Sequence, residues 1–133
     1  MFLGDLMRAI SIDCEVDFMK LSSYGAEKVS SGQVRELKHI DADIEDRDVI
    51  IVEDIVDTGV SMNYILDHMA EYAPRSLAVA TLLHKPEATR KPVKLDYVGF
   101  SIPNLFVIGY GLDYGQLGRN LSAIYIQAEQ GKK

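Results

Sequence analysis

The chain has 133 residues, of which 47% are hydrophobic, so it can bury the core of one domain, 1–133, and leaves little room for a second. A formal charge of −6 and a pI near 5.0 argue against a surface that follows nucleic-acid backbones. Cys14 cannot form an internal disulfide, Asp5 comes too early for a signal peptide, and no apolar run could cross a membrane. We therefore expect a cytoplasmic α/β domain without nucleic-acid or membrane partners.

The first part of the chain predicts a helix and a hairpin. Apolar residues at helical spacing indicate a helix over Phe2 to Ile10. Apolar and acidic residues alternate from Cys14 to Leu21, which predicts a strand with the Cys14 thiol on its covered face. Small or polar residues fill Gly25 to Gly32, and a return strand over Val34 to Lys38 would close a long hairpin.

The central stretch, Asp48 to Ser61, changes from strand to helix. Val49 to Val52 are consecutive β-branched residues without polar alternation, as in a strand buried on both faces of a parallel sheet. Apolar residues then recur at helical spacing from Met62 to Met69, so a helix is predicted to begin near Val60. Its first turn lies where ligands bind in open α/β sheets, and its free N–H groups would suit a phosphate.

Three carboxylates, Glu53, Asp54 and Asp57, lie beside that predicted phosphate site. They would repel a bare phosphate, but they can accept hydrogen bonds from sugar hydroxyls or hold Mg²⁺, so a sugar phosphate with metal is the implied ligand. The stretch lacks the glycine and lysine frame of a P-loop. A buried strand followed by a polar helix cap is the plainer alternative.

The next predicted strand, Leu77 to Leu83, is a continuous apolar run that suits an interior parallel strand. It ends at His84 and Lys85. We interpret His84 as structural. Position alone leaves two readings of Lys85 open, an exposed turn residue or a hydrogen-bond donor in the site.

The last third predicts a strand over Tyr97 to Ile102, an aromatic and glycine-rich stretch over Phe106 to Tyr114, and a final strand over Ile124 to Ile126. An aromatic ring beside glycines lets a flat ligand stack on a side chain while backbone groups reach its edge. Phe106 fits that role, and it fits core packing equally well.

The motif that ends at Asp57-Thr58-Gly59 resembles the phosphoribosyl pyrophosphate motif of the type I phosphoribosyltransferases. Two further stretches, Val-Gly-Phe-Ser-Ile-Pro at 98–103 and Phe-Val-Ile-Gly-Tyr-Gly-Leu-Asp-Tyr at 106–114, resemble the hypoxanthine-guanine branch. The resemblance implies a mainly parallel sheet flanked by helices, with a flexible hairpin lid. It also implies Mg²⁺-dependent transfer of 5-phosphoribosyl from phosphoribosyl pyrophosphate to hypoxanthine, and to guanine, giving the purine mononucleotide and pyrophosphate in purine salvage.

The resemblance implies a role for each matching residue. Asp57 would be the general base, Arg119 would contact pyrophosphate, and Ser23 with Tyr24 would form the base of the lid. Phosphate and ribose would be held by Glu53, Asp54, Thr58, Gly59, Val60 and Ser61. The base would be contacted by Lys85, Phe106, the Val107 backbone and Asp113. Metal ligands would be Glu53, Asp54 and Asp113.

Members of this family carry an earlier strand and a Leu-Lys-Gly loop before the segment that matches Met1 to Asp5. The resemblance therefore implies that this sequence lacks an amino-terminal segment and its first strand, and that exposed apolar surface would favour a homo-oligomer, either a dimer or a tetramer. Two alternatives stay open. One is a nucleotide-sensing regulator with the same fold that binds DNA or RNA, and the other is an inactive truncated homologue.

Overall fold

A parallel sheet of three strands organises the fold. The computed structural model describes residues 1–23 and 34–127. In chain order the elements are α1 (Phe2–Ala9), β1 (Lys20–Ser23), β2 (Val34–Lys38), β3 (Asp48–Val56), α2 (Val60–Ala70), β4 (Ser76–His84), β5 (Tyr97–Ser101), β6 (Val107–Ile108) and β7 (Tyr125–Ile126). A single 3-10 turn, Pro86–Ala88, follows β4.

The central strand of the sheet is β4, which pairs in parallel with β3 on one side and with β5 on the other. The β3–β4 register runs from Asp48 opposite Ser76 to Val56 opposite His84, so both strands end at the same edge of the sheet. Val79, Thr81 and Leu83 of β4 are almost fully buried. The prediction of an interior parallel strand is confirmed.

The packing of β3 differs from the prediction. Val49 and Ile51 pack against the core, but the Ile50 side chain between them is 55% exposed. Successive side chains of a strand point to opposite faces, and in the described ranges β3 pairs only with β4. The prediction of a strand buried on both faces is therefore wrong at Ile50.

The main core lies between the sheet and α2. Met62, Ile65 and Met69 of α2 are buried in one cluster with Val56 and Val79. These are the positions that the helical spacing predicted, and α2 begins at Val60 as expected. Burial of each such side chain contributes about 1.5 to 3 kcal/mol, so this face of α2 fixes the turn between β3 and the helix.

The first helix, α1, packs more loosely than α2. It forms where the apolar spacing predicted a helix, but its apolar side chains are only partly buried. Its Asp5 carboxylate accepts a hydrogen bond from the Tyr110 hydroxyl. That hydrogen bond is the main reason why the pKa of Asp5 lies below its ordinary value. The contact ties α1 to the Gly109–Gly111 turn.

The hairpin strands β1 and β2 pair antiparallel, and β2 has the predicted bounds, Val34 to Lys38. The predicted strand from Cys14 to Leu21 is wrong over most of its length, because β1 covers only Lys20–Ser23. Cys14 is exposed as a free thiol, so its predicted burial is also wrong. Ser23 ends β1, whereas Tyr24, the other residue predicted for the lid, lies outside the described residues.

A hydrogen-bond network explains why the strand stops short. The Asp17 carboxylate accepts backbone N–H bonds from Ala42, Phe18 and Asp41, and these bonds, the one from Ala42 most, lower the pKa of Asp17 well below its usual range. The Lys38 ammonium lies 3.3 Å from Asp17 and 3.0 Å from Asp41. The Asp17 side chain thus binds backbone amides that a neighbouring strand would otherwise have bound. It links the segment before β1 to the segment after β2.

None of the helices in the described ranges is both long and apolar enough to span a bilayer.

Candidate active site

A cavity of about 320 Å³ opens where β3 and β4 end. Its position at the carboxyl edge of a parallel sheet is where ligands bind in open α/β folds. The lining residues come from both strand ends and from the segment after β5, and they are Asp54, Ile55, Asp57, Lys85, Phe106, Val107, Leu112, Asp113 and Arg119. Of these nine, only Ile55 and Leu112 were not predicted as site residues.

Asp57 and Lys85 face each other across the cavity. The Lys85 Nζ lies 3.6 Å from the nearer Asp57 carboxylate oxygen, which is an ion-pair distance but too long for a good hydrogen bond. Lys85 is only 7% exposed, which excludes the reading of this lysine as an exposed turn residue. A buried ammonium is costly unless its protons find acceptors. Lys85 is therefore suited to bind an acceptor oxygen on a ligand.

Glu53 and Asp54 are neighbours on β3, so their side chains leave the strand in opposite directions. Asp54 lines the cavity, and Glu53 does not. Burial and, secondarily, the negative charge of Asp54 raise the pKa of Glu53 to about 7. Burial also raises the pKa of Asp54, although the positive charge of Arg119 partly opposes this shift. Both carboxylates would gain from a cation or from hydroxyl donors.

The turn from Asp57 to Ser61 carries the predicted phosphate site at the start of α2. Gly59 is the N-cap residue of α2, with φ near 77°, and having no side chain it makes no cap hydrogen bond of its own. The Thr58 hydroxyl lies 3.4 Å from the Val60 amide and can accept its hydrogen bond, so the helix-cap alternative accounts for Thr58. In the part of the chain that the structure describes, the Gly59 and Ser61 amides donate to no protein acceptor. They remain available to an anion.

Only glycine fits at position 59. A β-carbon there would lie 2.2 Å from the Lys91 carbonyl oxygen, far inside contact distance, and the positive φ disfavours any side chain as well. The close approach lets the residues after β4 pack against the outside of the turn. The conformation of the turn is thus fixed by its contact with the backbone at Lys91.

Phe106 lines the cavity and packs against Tyr114, which is not one of the lining residues. The rings of Phe106 and Tyr114 meet edge to face with centroids 5.6 Å apart. Phe106 is 48% exposed, so the core-packing interpretation of this residue is wrong. The Val107 side chain is buried, and its backbone pairs with β7 at Ile126. The exposed Phe106 ring therefore offers an apolar surface at the cavity.

Asp113 and Arg119 form an ion pair at the same cavity, with the carboxylate oxygen and the guanidinium nitrogen 2.7 Å apart. Arg119 also donates to the Gly111 carbonyl at 2.9 Å. The loop that carries both residues folds back through glycines of positive φ, among them Gly111 and Gly118. This loop presents a cation beside the Asp54 carboxylate.

Sequence reasoning missed residues that shape the site from outside the cavity. Thr89 and Asn63 hydrogen-bond to the backbone of the Asp57–Gly59 turn, at the Asp57 and Gly59 carbonyls. Neither residue belongs to a motif. The Thr89 contact depends on how the segment after β4 folds back, whereas the Asn63 contact is local to the first turn of α2. A hydroxyl or amide within a few residues of a motif is too common to be a useful signal.

Comparison with known proteins places this arrangement in a family. The family model described as a phosphoribosyl transferase domain matches residues 1–115. Hypoxanthine-guanine phosphoribosyltransferase from Mycobacterium avium is 52% identical over 92% of this chain and 61% of its own length. The enzyme of the same name from Bacillus subtilis is 43% identical over 92% of this chain and 68% of its own length.

Solved structures agree with the sequence matches. A crystal structure of a hypoxanthine-guanine phosphoribosyltransferase from Bacillus anthracis superposes with a TM-score of 0.90 at 41% identity, covering 96% of this chain and 75% of that one. The chain spans about 61% of the length of the Mycobacterium avium relative. The predicted type I phosphoribosyltransferase fold is confirmed, and the chain belongs to the hypoxanthine-guanine phosphoribosyltransferase family.

Proposed function

We propose that this chain carries the nucleotide and base site of a purine-salvage enzyme that transfers 5-phosphoribosyl from phosphoribosyl pyrophosphate to hypoxanthine or guanine. The observation that carries the proposal is the meeting of Asp57, Lys85 and Phe106 at one cavity directly beside the phosphate turn. These residues supply a proton acceptor, a permanent donor and a flat apolar surface, which is the set that a 6-oxopurine requires.

In the proposed reaction, a ring nitrogen of the purine forms a bond to the anomeric carbon of the ribose as the bond to pyrophosphate breaks. The proton on the imidazole edge of the base passes to the Asp57 carboxylate. Lys85 donates to the 6-oxo group and holds the base while Phe106 packs on its face. The developing positive charge on the ribose is stabilised by nearby carboxylates, with Asp54 the one that lines the cavity.

The leaving pyrophosphate needs positive charge and hydrogen-bond donors. Arg119 is the guanidinium at the cavity, and it would exchange its contact with Asp113 for the pyrophosphate oxygens. The amides of Gly59 and Ser61 would hold the 5′-phosphate together with the Ser61 hydroxyl. The Val60 amide and the Thr58 hydroxyl would join them by exchanging their contact with each other for the phosphate.

Mg²⁺ is part of this proposal. Among the described residues no group of three or more His, Cys, Asp or Glu side chains forms a metal cage. That suits Mg²⁺, which is commonly held by one or two carboxylates, with substrate phosphates and water completing its shell. Asp54 and Asp113 line the same cavity and would supply protein oxygens. Glu53, the neighbour of Asp54 on β3, does not line the cavity. When bound, the ion would neutralise charge on the pyrophosphate.

The proposal is tested with radiolabelled hypoxanthine, guanine, xanthine and adenine, measuring base-dependent release of pyrophosphate and mononucleotide binding by calorimetry. We expect transfer to hypoxanthine and guanine and binding of their mononucleotides. Adenosine monophosphate should bind at least about tenfold more weakly, because its amino group would face the Lys85 donor in a dry pocket. Binding to nucleic acid at physiological salt, with no transfer to any base, would instead favour the alternative of a nucleotide-sensing regulator with the same fold.

Replacing Lys85 with alanine is expected to weaken inosine monophosphate binding by about 10- to 100-fold, since a hydrogen bond from a charged donor contributes about 1.5 to 3 kcal/mol. Isothermal titration calorimetry measures this change. Lys94→Ala is the matched control, because Lys94 is exposed and pairs with Asp96 outside the cavity. Unchanged affinity in Lys85→Ala would show that the lysine does not contact the base.

We also propose a homo-oligomer, a dimer or a tetramer, in the cytoplasm. Val98 and Phe100 lie on one side of β5 and are 41% and 63% exposed, which is an apolar surface that a second subunit could cover. The free, exposed Cys14 suits a reducing compartment. Light scattering coupled to size-exclusion chromatography would measure the subunit number.

A further inference from the structure

The segment from Thr89 to Pro92, here called the strap, runs behind the turn that carries Asp57. The backbone amides of Arg90 and Lys91 both donate to the Thr58 carbonyl, at 3.0 and 3.1 Å. The Asn63 side chain donates to the Gly59 carbonyl at 2.8 Å and to the Pro92 carbonyl at 3.1 Å. The strap therefore occupies the outer carbonyls of the turn and leaves its inward amides for a ligand.

Within the strap, the Thr89 hydroxyl lies within hydrogen-bond reach of two backbone carbonyls. It lies 3.3 Å from the Asp57 carbonyl oxygen and 3.2 Å from the Lys85 carbonyl oxygen. His84 Nε2 lies 3.3 Å from the same hydroxyl and can complete its hydrogen bonding as a donor. The oxygen is thus shared between the end of β3 and the end of β4, at the two residues whose side chains face each other in the cavity.

We infer that Thr89 is a positioning residue that sets the distance between the Asp57 carboxylate and the Lys85 ammonium. Its hydroxyl joins the two backbones, and its β-branched side chain has restricted rotation, so the junction is held in one geometry. The inference rests on the proposed function, in which one purine engages both side chains at once. A shift of either backbone would misplace the proton acceptor relative to the donor, and small misplacements at reacting groups are costly to turnover.

Thr89→Val removes the hydroxyl with little change in shape, and it leaves the strap amides on Thr58 in place. We expect kcat with hypoxanthine to fall by about tenfold or more, and KM for hypoxanthine to rise, with KM for phosphoribosyl pyrophosphate unchanged. Thr89→Ser, which keeps the hydroxyl, should restore both parameters to within a few-fold of the parent. A merely structural loss would not separate the two substrates in this way.

Ser76→Ala is the matched control. Its hydroxyl donates to Asp48 at 2.7 Å and joins the same two strands, but at their opposite ends. This variant should keep the parental kcat and KM values. Parental kinetics in Thr89→Val, or a Thr89→Ser variant as impaired as Thr89→Val, would overturn the inference.

Failure of the proposed function gives a different result from failure of the positioning role. If the parent chain transfers ribosyl to no base, the proposed function fails, and calorimetry with two ligands then tests Thr89. In Thr89→Val we expect weaker binding of inosine monophosphate and unchanged binding of ribose 5-phosphate, which lacks the base. Equal affinity of Thr89→Val and the parent for both ligands would overturn the inference.

Discussion

Asp57→Asn is expected to lower kcat for ribosyl transfer to hypoxanthine by about 10²- to 10⁴-fold, the usual contribution of a general base. The amide keeps the shape of the carboxylate and one acceptor oxygen, but it cannot take the proton from the base. Inosine monophosphate carries no proton that Asp57 must remove, so its Kd should change by less than about tenfold. Steady-state kinetics and calorimetry on the same preparation measure the two effects.

Asp67→Asn is the matched control for this substitution, because Asp67 is exposed on α2, away from the cavity lining. It should leave kcat and Kd unchanged. Asp57→Asn also removes the charge opposite the buried Lys85 ammonium, so thermal unfolding of both variants should be recorded. If Asp57→Asn loses affinity and turnover by the same factor, Asp57 contributes to binding and is not the base.

The free energy of unfolding of the parent chain is expected to fall as the pH rises from about 5 to 8, because of Glu53. Its pKa is raised from 4.5 to about 7 in the folded state, chiefly by burial. Between these values the folded chain holds a proton that the unfolded chain releases, so raising the pH favours unfolding. The full effect of Glu53 would be about 3 kcal/mol, reached above pH 7.

Glu53→Gln should remove this pH dependence, because glutamine resembles the protonated acid at every pH. We expect it to match the parent near pH 5 and to be more stable than the parent at pH 8. Urea unfolding in the presence of EDTA, at several pH values, measures the difference. Glu45→Gln is the control at an exposed position. A stability difference between Glu53→Gln and the parent that does not vary with pH would contradict the raised pKa.

The sheet and its helix were predictable because their signals are local and strong. The β-branched run of β3, the apolar run of β4 and the spacing of Met62, Ile65 and Met69 each match one period of secondary structure. The burial of each strand face depends on neighbours that one sequence does not reveal. Ile50 and Val49 read alike in the sequence, yet only Val49 packs against the core.

The error at Cys14 has a different cause. Alternation of apolar and acidic residues predicts a strand, but a strand also needs a partner of matching length. Pairing between β1 and β2 begins at Lys20 opposite Lys38, and beyond it the Asp17 carboxylate binds the amides of Asp41 and Ala42. A side chain that replaces a strand neighbour leaves no periodic signal.

The candidate site was predictable in composition, because its residues belong to ordered motifs, but its geometry was not. The 3.6 Å approach of Lys85 to Asp57, and the pairing of Asp113 with Arg119, depend on where separate segments meet. The motif does not reveal which of its carboxylates line the cavity, as Glu53 illustrates. It adjoins Asp54 in the sequence, but strand alternation turns it away from the cavity that Asp54 lines.

The hydrogen bond between the Tyr110 hydroxyl and Asp5 joins residues 105 positions apart. Closing a loop of that length costs more entropy than forming the local contacts of β3, α2 and β4, so we expect this contact to form after that unit. Weakening the contact should therefore speed unfolding more than it slows folding. The turn that Tyr110 anchors leads into Leu112 and Asp113, so we expect loss of this contact to speed amide hydrogen exchange along this wall of the cavity.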